Sequence, residues 1–315
     1  MTSYLIRRVA SAVIVVLGVM AATFLMLHAV FPSPAKVVLG ARTTPQAIAA
    51  FNRDNGFDRS VGAQFLTYVN HTIHGNFGYS YKLNQSVNSL FKENAGRSAL
   101  LSGVSLVLAV VIAVPLGIAQ AVKRNSLFDY VATGTSFTLY SMPIFFVSLL
   151  LIAILSLKLN WFPFEASQAS TVIGVIKQPR SMVLPVVSLT IVSVASFSRY
   201  LRSSALDNLA QDYIKVARAK GLSERSVLYR HLVRNSSLPI ITLVGLSLPD
   251  LLAGNLITEE VFNFHGLGLL FFAALGNEDY SILLAYTLVG GILVVLGNLV
   301  ADIALSMTDP RIRLT

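Results

Sequence analysis

Apolar residues are concentrated in six long stretches of the chain, and the segments between them hold most of the charges. A hydrocarbon core about 30 Å thick is crossed by about 20 helical residues. We therefore predict membrane-spanning helices at residues 9–31, 98–122, 130–157, 183–197, 238–258 and 281–307. Several spans contain proline, which neighbouring helices can accommodate. The fourth span is short, and we expect its helix to continue past Arg199.

The composition agrees with a chain whose surface faces lipid. Of its 315 residues, 54% are hydrophobic and only 12% are charged, whereas soluble domains carry about 25% charged residues. A water-soluble enzyme with an ordinary surface is therefore excluded. The chain has no cysteine, which excludes disulfides, thiolate metal sites and cysteine nucleophiles. His71 and His74 have no third ligand nearby in the sequence, and we assign no metal site.

The distribution of positive charge predicts the orientation. Short segments on one side hold Arg7 and Arg8, then Lys123 and Arg124, then a basic run between the fourth and fifth spans. The loop at 259–280, on the other side, has four acids and no lysine or arginine. Because positive residues mark cytoplasmic loops, both termini are predicted to be cytoplasmic. The net charge of +9 is then a consequence of topology, and no nucleic-acid partner is expected.

These spans divide the chain into five parts. Residues 1–8 form a cytoplasmic N-terminus, and residues 9–31 form the first span. Residues 32–97, here called the lobe, lie outside the cytoplasm. Residues 98–307 form the core, which contains a polar cytoplasmic segment at 203–237, and residues 308–315 form the cytoplasmic C-terminus.

The lobe has the sequence of a small ordered unit. Thr44 before Pro45 is typical of a helix start, and a second helix with one apolar face is predicted from the spacing of Phe65, Tyr68, Val69 and Thr72. The glycines between Gly75 and Ser80 indicate a turn. The lobe is either a lid packed on the helices or a docking surface for an external partner.

The segment 203–237 is polar but rich in helix-forming residues. Tyr213 to Lys220 predicts a short helix that ends at Gly221, where a left-handed residue would follow the last turn. Ser223 can cap a second helix at 224–233. Such a corner can insert into a groove of another protein. The alternative is a basic amphipathic segment that rests on anionic headgroups.

This segment resembles the cytoplasmic coupling motif of permease subunits in ABC importers, and its details are similar to the peptide-importer branch. The first positions of the general motif read Lys215-Val216-Ala217, so the usual leading glutamate is absent. The residues that carry the resemblance are Asp212-Tyr213, Ala217-Arg218-Ala219-Lys220-Gly221-Leu222, Arg230-His231, Arg234-Asn235 and Pro239. We call residues 203–237 the coupling segment. The resemblance implies that Tyr213 and residues 217–222 contact an ATPase.

The similarity extends over nearly the whole chain. It includes the leader Tyr4-Leu5-Ile6-Arg7-Arg8, the lobe motif Gly75-Asn76-Phe77-Gly78-Tyr79-Ser80, and later Glu259-Glu260-Val261-Phe262, Gly266-Leu267-Gly268, Asp279-Tyr280 and Asp309-Pro310-Arg311. The motif after the first span is degraded to Phe31-Pro32-Ser33-Pro34. The long first loop resembles the B-type subunit of dipeptide and oligopeptide permeases. The implied fold is all-α with six transmembrane helices, like a type I ABC importer permease.

The resemblance also implies a set of partners. A second, homologous permease subunit would complete a heterodimer in the lipid bilayer, and one or two cytoplasmic ABC ATPase subunits would drive it. An extracytoplasmic substrate-binding protein would deliver a di- or oligopeptide, and the candidate docking residues are Gly75, Asn76, Gly78, Ser80, Glu259 and Asp279. The chain lacks a G-x-x-x-x-G-K-[ST] phosphate-binding loop. It is therefore expected to bind no cofactor and to be no enzyme, with ATP and Mg²⁺ on the partner subunits.

Two acids within predicted spans have competing interpretations, because ionisable groups are costly in a membrane. Asp250 beside Pro249 either lines the translocation pathway or pairs with a neighbouring helix. Asp302 shares a face with Gly291 and Asn298, which favours a structural helix–helix contact.

Two other classes of transporter are weighed against the peptide importer. An ion-gradient-driven carrier would use embedded acids and an inverted repeat, and no convincing repeat is present. An ABC permease for a non-peptide ligand, such as a nickel chelate, glutathione or haem, is the other alternative.

Overall fold

The computed structural model of the chain describes residues 2–31, 34–40 and 43–308 and is mostly helical. The elements before the core are α1 (Thr2–Val30), α2 (Pro34–Leu39), α3 (Pro45–Asp54), α4 (Val61–Ile73), β1 (Tyr79–Ser80) and β2 (Gln85–Ser86). The strands form an antiparallel pair with Tyr79 opposite Ser86.

The core continues with α5 (Val87–Val122), α6 (Leu127–Ser141), α7 (Ile144–Leu151) with a π-helical extension (Ile152–Lys158), α8 (Val172–Ile176) and α9 (Pro179–Leu209). The coupling segment contains α10 (Asp212–Ala219), α11 (Glu224–Ser226), a π-helical turn (Val227–Val233) and α12 (Arg234–Ser236). The remaining helices are α13 (Leu238–Leu246), α14 (Leu248–Ala253), α15 (Leu256–Val261), α16 (Leu267–Gly276) and α17 (Tyr280–Thr308).

Four helices of the described residues are long and apolar enough to cross a membrane, namely α1, α5, α9 and α17. Their positions match the first, second, fourth and sixth predicted spans. α5 begins at Val87, well before residue 98, and α9 continues past Arg199 to Leu209, as expected.

The third predicted span is bent. α6 and the helix Ile144–Lys158 are long and apolar enough to cross a membrane only when they are taken together. Their axes differ by 106°. Met142 is extended (ψ 131°) because a residue before proline is disfavoured in the helical region, and Pro143 then occupies the N-cap position of α7. Counted as one span, this pair raises the number in the described residues to five.

The fifth predicted span is not one continuous helix. Residues 238–258 are divided between α13, α14 and the start of α15. The chain turns at Gly254, whose φ of +84° is accessible to glycine at little cost. The fifth predicted span thus consists of shorter helices rather than one.

The body of the fold is built on α5 and α9, which make the most extensive helix–helix contact in the described chain. The two backbones approach closely at Gly117, where a Cβ atom would lie 2.8 Å from the carbonyl oxygen of Ser198 and 2.9 Å from Cβ of Leu201. Small residues permit such close approach between membrane helices. Further along the pair, Ala109 and Ala113 are fully buried.

The lobe packs on the outer helices. Thr44 caps α3 by accepting a hydrogen bond from the Ala47 N–H at 3.3 Å, and Pro45 follows at the first helical position. In α4, Tyr68 stacks near Phe24 of α1, and its hydroxyl donates to the Leu284 carbonyl of α17. Burial raises the pKa of Tyr68 to about 12, so the hydroxyl stays protonated as a donor. The predicted helices are confirmed, and they bind the lobe to α1 and α17.

Gly117→Ala tests the α5–α9 contact. The added methyl group would force the two backbones apart, so we expect the free energy of unfolding to fall by about 1–3 kcal/mol. The measurement is thermal unfolding of the purified protein in detergent. Gly103→Ala is the matched control on the same helix, because its Cβ would meet only Leu251 Cδ2 at 3.8 Å. Equal unfolding midpoints for the two variants would contradict the close contact.

Candidate functional site

The glycine corner of the coupling segment forms as predicted. α10 ends at Ala219, and Gly221 follows Lys220 with a φ of +76°. The Leu222 N–H donates to the Ala217 carbonyl at 3.3 Å, which closes the last turn in the manner of a glycine-terminated helix.

The second half of the corner differs in detail from the prediction. Ser223 caps it by accepting from the Ser226 N–H at 3.3 Å, as expected. The helix expected at 224–233 is α-helical only over Glu224–Ser226 and π-helical over Val227–Val233. The direction of the chain is that of the predicted corner, but the wider turn changes which side chains face inward.

The inner face of the coupling segment is anchored in the core. Ile214 and Ala217 of α10 and Val227 and Leu232 of the π-helical turn are buried. They belong to one apolar cluster with residues from the second half of α5 and from α9, including Ala109, Ala113, Ile118, Phe197 and Leu201. A displacement of the coupling segment therefore acts directly on the α5–α9 pair.

The outer face of the segment is exposed and partly apolar. Val216, Leu222 and Tyr229 are 51%, 41% and 69% exposed, and Tyr213 is exposed beside them. Apart from the glycine itself and its two chain neighbours, no heavy atom of the described residues lies within 4 Å of the place where a Cβ of Gly221 would stand. Gly221 therefore allows the backbone turn and places no side chain at the tip of the corner. An apolar, aromatic tip is typical of a protein-binding surface.

Ion pairs of the coupling segment shape this tip. Arg218 Nε donates to Glu224 Oε1 at 2.7 Å, which ties α10 to α11 across the glycine. The Lys215 ammonium, 2.9 Å from Asp212 Oδ1, lowers the pKa of the Asp212 carboxyl. Such exposed pairs contribute little to stability. The Arg218–Glu224 pair joins the two helices of the corner, whereas the Lys215–Asp212 pair lies within α10.

An ion pair that sequence reasoning missed, between the buried Asp129 and the partly exposed Arg202, holds α6 against α9. Arg202 Nε and Nη2 donate to the two carboxylate oxygens of Asp129, each at 2.7 Å. Asp129 is only 2% exposed and also accepts from the Asn125 N–H and the Thr133 hydroxyl. Bidentate pairs of this kind fix geometry. The pair thus joins α6 to the C-terminal part of α9.

The candidate docking residues of the lobe motif form an internal contact. The Ser80 hydroxyl donates to Asp279 Oδ2, and both side chains are buried. Gly78 lies against Ser281, since a Cβ there would be 3.4 Å from the serine Cβ. Gly75 and Asn76 are exposed. The motif thus joins the lobe to the start of α17, while Gly75, Asn76 and Tyr79 remain exposed.

Glu259 differs from the expectation of an exposed acidic loop. Its side chain is fully buried, and its carboxylate is bonded to Ser98 of α5 and to backbone N–H groups. A side chain without exposed surface cannot contact a docked protein directly. The docking assignment of Glu259 is therefore corrected to an internal contact.

The remaining candidates divide between the described and undescribed parts of the chain. The Asp250 side chain lies outside the described residues. Its neighbour Pro249 is half-buried and faces α17, where a Cβ at Gly297 would lie 3.2 Å from the proline Cδ. Asp302 forms an ion pair with Arg8 of α1, which agrees with the structural role expected for it.

Sequence reasoning missed the serines that face the core from α5. Ser98, Ser102 and Ser105 are buried and follow one another at spacings of four and three, the period of one helix face. A polar stripe on an apolar helix is the signal that could have identified them.

Comparison with known proteins agrees with this architecture. Residues 113–314 match the family described as binding-protein-dependent transport system inner membrane component, and residues 1–95 match the description of its N-terminal part. The oligopeptide transport system permease protein AppB of Bacillus subtilis is 34% identical over 314 residues, 99% of each chain. The dipeptide transport system permease protein DppB of Escherichia coli is 31% identical over 99% of each chain.

A further relative carries a different substrate in its name. The glutathione transport system permease protein GsiC of Salmonella choleraesuis is 31% identical over 313 residues, 99% of each chain. Both parts of the chain thus match the same transport systems, and the matched relatives align over nearly their full length. The chain belongs to the family of binding-protein-dependent transport system inner membrane components.

Proposed function

We propose that the chain is the B-type permease subunit of an ATP-driven importer of di- and oligopeptides. The observation that carries this proposal is the bare glycine corner at Gly221, anchored inside by Ile214 and Ala217 and surrounded outside by exposed apolar side chains. With this geometry another protein can bind the corner and displace it. Relatives named for oligopeptide and dipeptide transport support the substrate class.

The proposed assembly has a defined direction. The coupling segment and both termini lie in the cytoplasm, and the lobe lies outside, with six crossings of the inner membrane. A second homologous permease subunit completes a heterodimeric pathway, one or two ABC ATPase subunits bind ATP and Mg²⁺ and receive the corner, and an extracytoplasmic binding protein delivers the substrate. The chain itself is not a catalyst.

The mechanism follows from the attachment of the corner. Closure of the ATPases around ATP displaces Gly221 and its neighbours as a unit, because Arg218 and Glu224 tie the two helices together. The buried face of α10 passes this displacement to α5 and α9. Rocking of these helices exchanges inward- and outward-facing states. Asp250 and Pro249 are retained as proposed pathway residues, and Gly75, Asn76 and Gly78 as proposed contributors to the docking region. Ser80 and Asp279 are buried like Glu259, so they contribute to this region only by joining the lobe to α17.

A second candidate substrate is glutathione, because one relative over the full chain length is named for it. Glutathione is itself a small peptide, so the two candidates differ in which binding protein is used rather than in the permease mechanism. An ion-gradient-driven carrier has less support, since the matched family is named for binding-protein-dependent transport.

The assembled complex in proteoliposomes tests the proposed function. We expect ATP hydrolysis and uptake to rise when the binding protein is loaded with a di- or oligopeptide, because substrate delivery closes the ATPases through the permease. The comparison uses unloaded binding protein and binding protein offered glutathione. Uptake driven by a proton or sodium gradient without ATP would contradict the proposal.

Gly221→Val tests the corner. A β-branched residue at a left-handed φ is strained by about 1–2 kcal/mol, so the corner should change shape while the protein still inserts. We expect peptide-stimulated ATP hydrolysis to fall, measured against the unstimulated rate of the same complex. Gly221→Asn is the matched control, since asparagine tolerates this conformation. Unchanged uptake with Gly221→Val would remove the coupling role from this residue.

A further inference from the structure

The Glu259 carboxylate is enclosed by hydrogen-bond donors. Its Oε1 atom accepts from the Ser98 hydroxyl at 2.8 Å and from the Asn255 N–H at 3.2 Å. Its Oε2 atom accepts from the N–H groups of Gly268 at 2.7 Å and Leu269 at 3.3 Å. The Asn255 donor lies at the start of α15, and the other two backbone donors lie in the first turn of α16. One side chain therefore joins α15, α16 and α5.

The arrangement needs an acceptor at both oxygen positions of Glu259. Oε1 faces the Asn255 N–H and Oε2 faces the N–H groups of Gly268 and Leu269, and a backbone N–H can only donate. A glutamine would turn its NH₂ group toward at least one backbone N–H, whichever way the amide is placed. The carboxyl group is also closely packed, because a Cβ on Gly266 or Gly268 would lie 2.4 or 2.9 Å from Oε2.

A second contact lies beside the first. The Asn255 side-chain amide donates to the Ser102 hydroxyl of α5 at 2.7 Å, and Ser98 also accepts from the Leu267 N–H at 2.8 Å. Ser98 and Ser102 are one helical turn apart on the same face of α5. The unit formed by α15 and α16 (residues 256–276), here called the α15–α16 unit, is thus fastened to α5 at two successive turns.

The C-terminal end of α5 belongs to the apolar cluster that anchors the coupling segment. Ile118 and Ala121 of α5 share that cluster with Ile214 and Ala217 of α10. From Ser98 to Ala121 the helix rises about 35 Å. The same helix therefore holds the coupling segment near one end and the α15–α16 unit near the other.

We infer that Glu259 is a positioning residue for transport, which makes the α15–α16 unit move with α5 when the coupling segment is displaced. The inference rests on the proposed function, since it assigns a transmitting role to α5. In this role α5 carries the movement that ATPase closure produces across the membrane. Glu259 contacts neither ATP nor substrate in this scheme. It holds the part of α5 that is remote from the coupling segment, and α5 is the helix that transmits the displacement.

Glu259→Gln tests the functional side of this inference in the reconstituted complex. We expect stimulation of ATP hydrolysis by peptide-loaded binding protein to fall at least about tenfold, the factor that corresponds to leaving one buried backbone N–H donor without an acceptor. Glu165→Gln is the matched control, an exposed acid in the segment between α7 and α8. Full stimulation of the Glu259→Gln complex would overturn the inference.

A cross-link separates a positioning role from misfolding. Because the chain has no cysteine, the S102C/N255C pair can be joined specifically by oxidation or by a short bifunctional thiol reagent. In the Glu259→Gln background, we expect joining to restore stimulation and release of the link to abolish it again. In the background that keeps Glu259, the link should leave stimulation unchanged. A link that blocks stimulation there would show that α5 and the α15–α16 unit must separate, and the inference would be wrong.

The rate of cross-linking is measured without peptide. It therefore distinguishes a failure of this inference about Glu259 from a failure of the proposed import function. Without added substrate, we expect the S102C/N255C pair to link about tenfold more slowly in the Glu259→Gln background, because the glutamine amide leaves a buried backbone N–H donor without an acceptor. If this difference appears while no peptide stimulates the unaltered complex, the substrate proposal fails and the fastening by Glu259 stands. Equal linking rates in the two backgrounds would overturn the fastening itself.

Discussion

The contact between α5 and α9 is the constraint on which the rest of the structure depends. At Gly117 the backbones are close enough that a methyl group would meet the carbonyl of Ser198. An interface this tight has few alternative packings, so the two helices act as one body. The coupling segment and the α15–α16 unit are both attached to this pair, whereas the lobe is attached to α1 and α17.

The attachments differ in chemistry at the two ends of α5. The coupling segment is held by apolar side chains such as Ile214 and Leu232, which suits a surface that must transmit a push in any direction. The α15–α16 unit is held by directional hydrogen bonds to Glu259 and Asn255. The Asp129–Arg202 pair adds a fixed angle between α6 and α9. A displacement of the corner thus reaches the other end of α5 through defined contacts.

Local features of this fold were predictable from the sequence, because short-range chemistry determines them. The cap at Thr44, the left-handed Gly221 and the cap at Ser223 depend on residues within four positions. Contacts between distant segments were not predictable in the same way. The burial of Glu259 depends on Ser98, which is 161 positions away, and an isolated acidic pair in a loop gives no sign of such a partner. The bend at Pro143 was marked by the proline, but its angle is set by packing, and the break at Gly254 was hidden in an apolar run.

Distances across the complex measure the central claim, which is that the coupling segment and the α15–α16 unit are linked through α5 as one body. Spin labels on the exposed positions Tyr229 and Leu275, introduced through cysteines that the chain otherwise lacks, report the distance between the two. The account predicts that this distance is the same in the nucleotide-free and ATP-bound complexes. A change by a helical turn, about 5 Å, would contradict it.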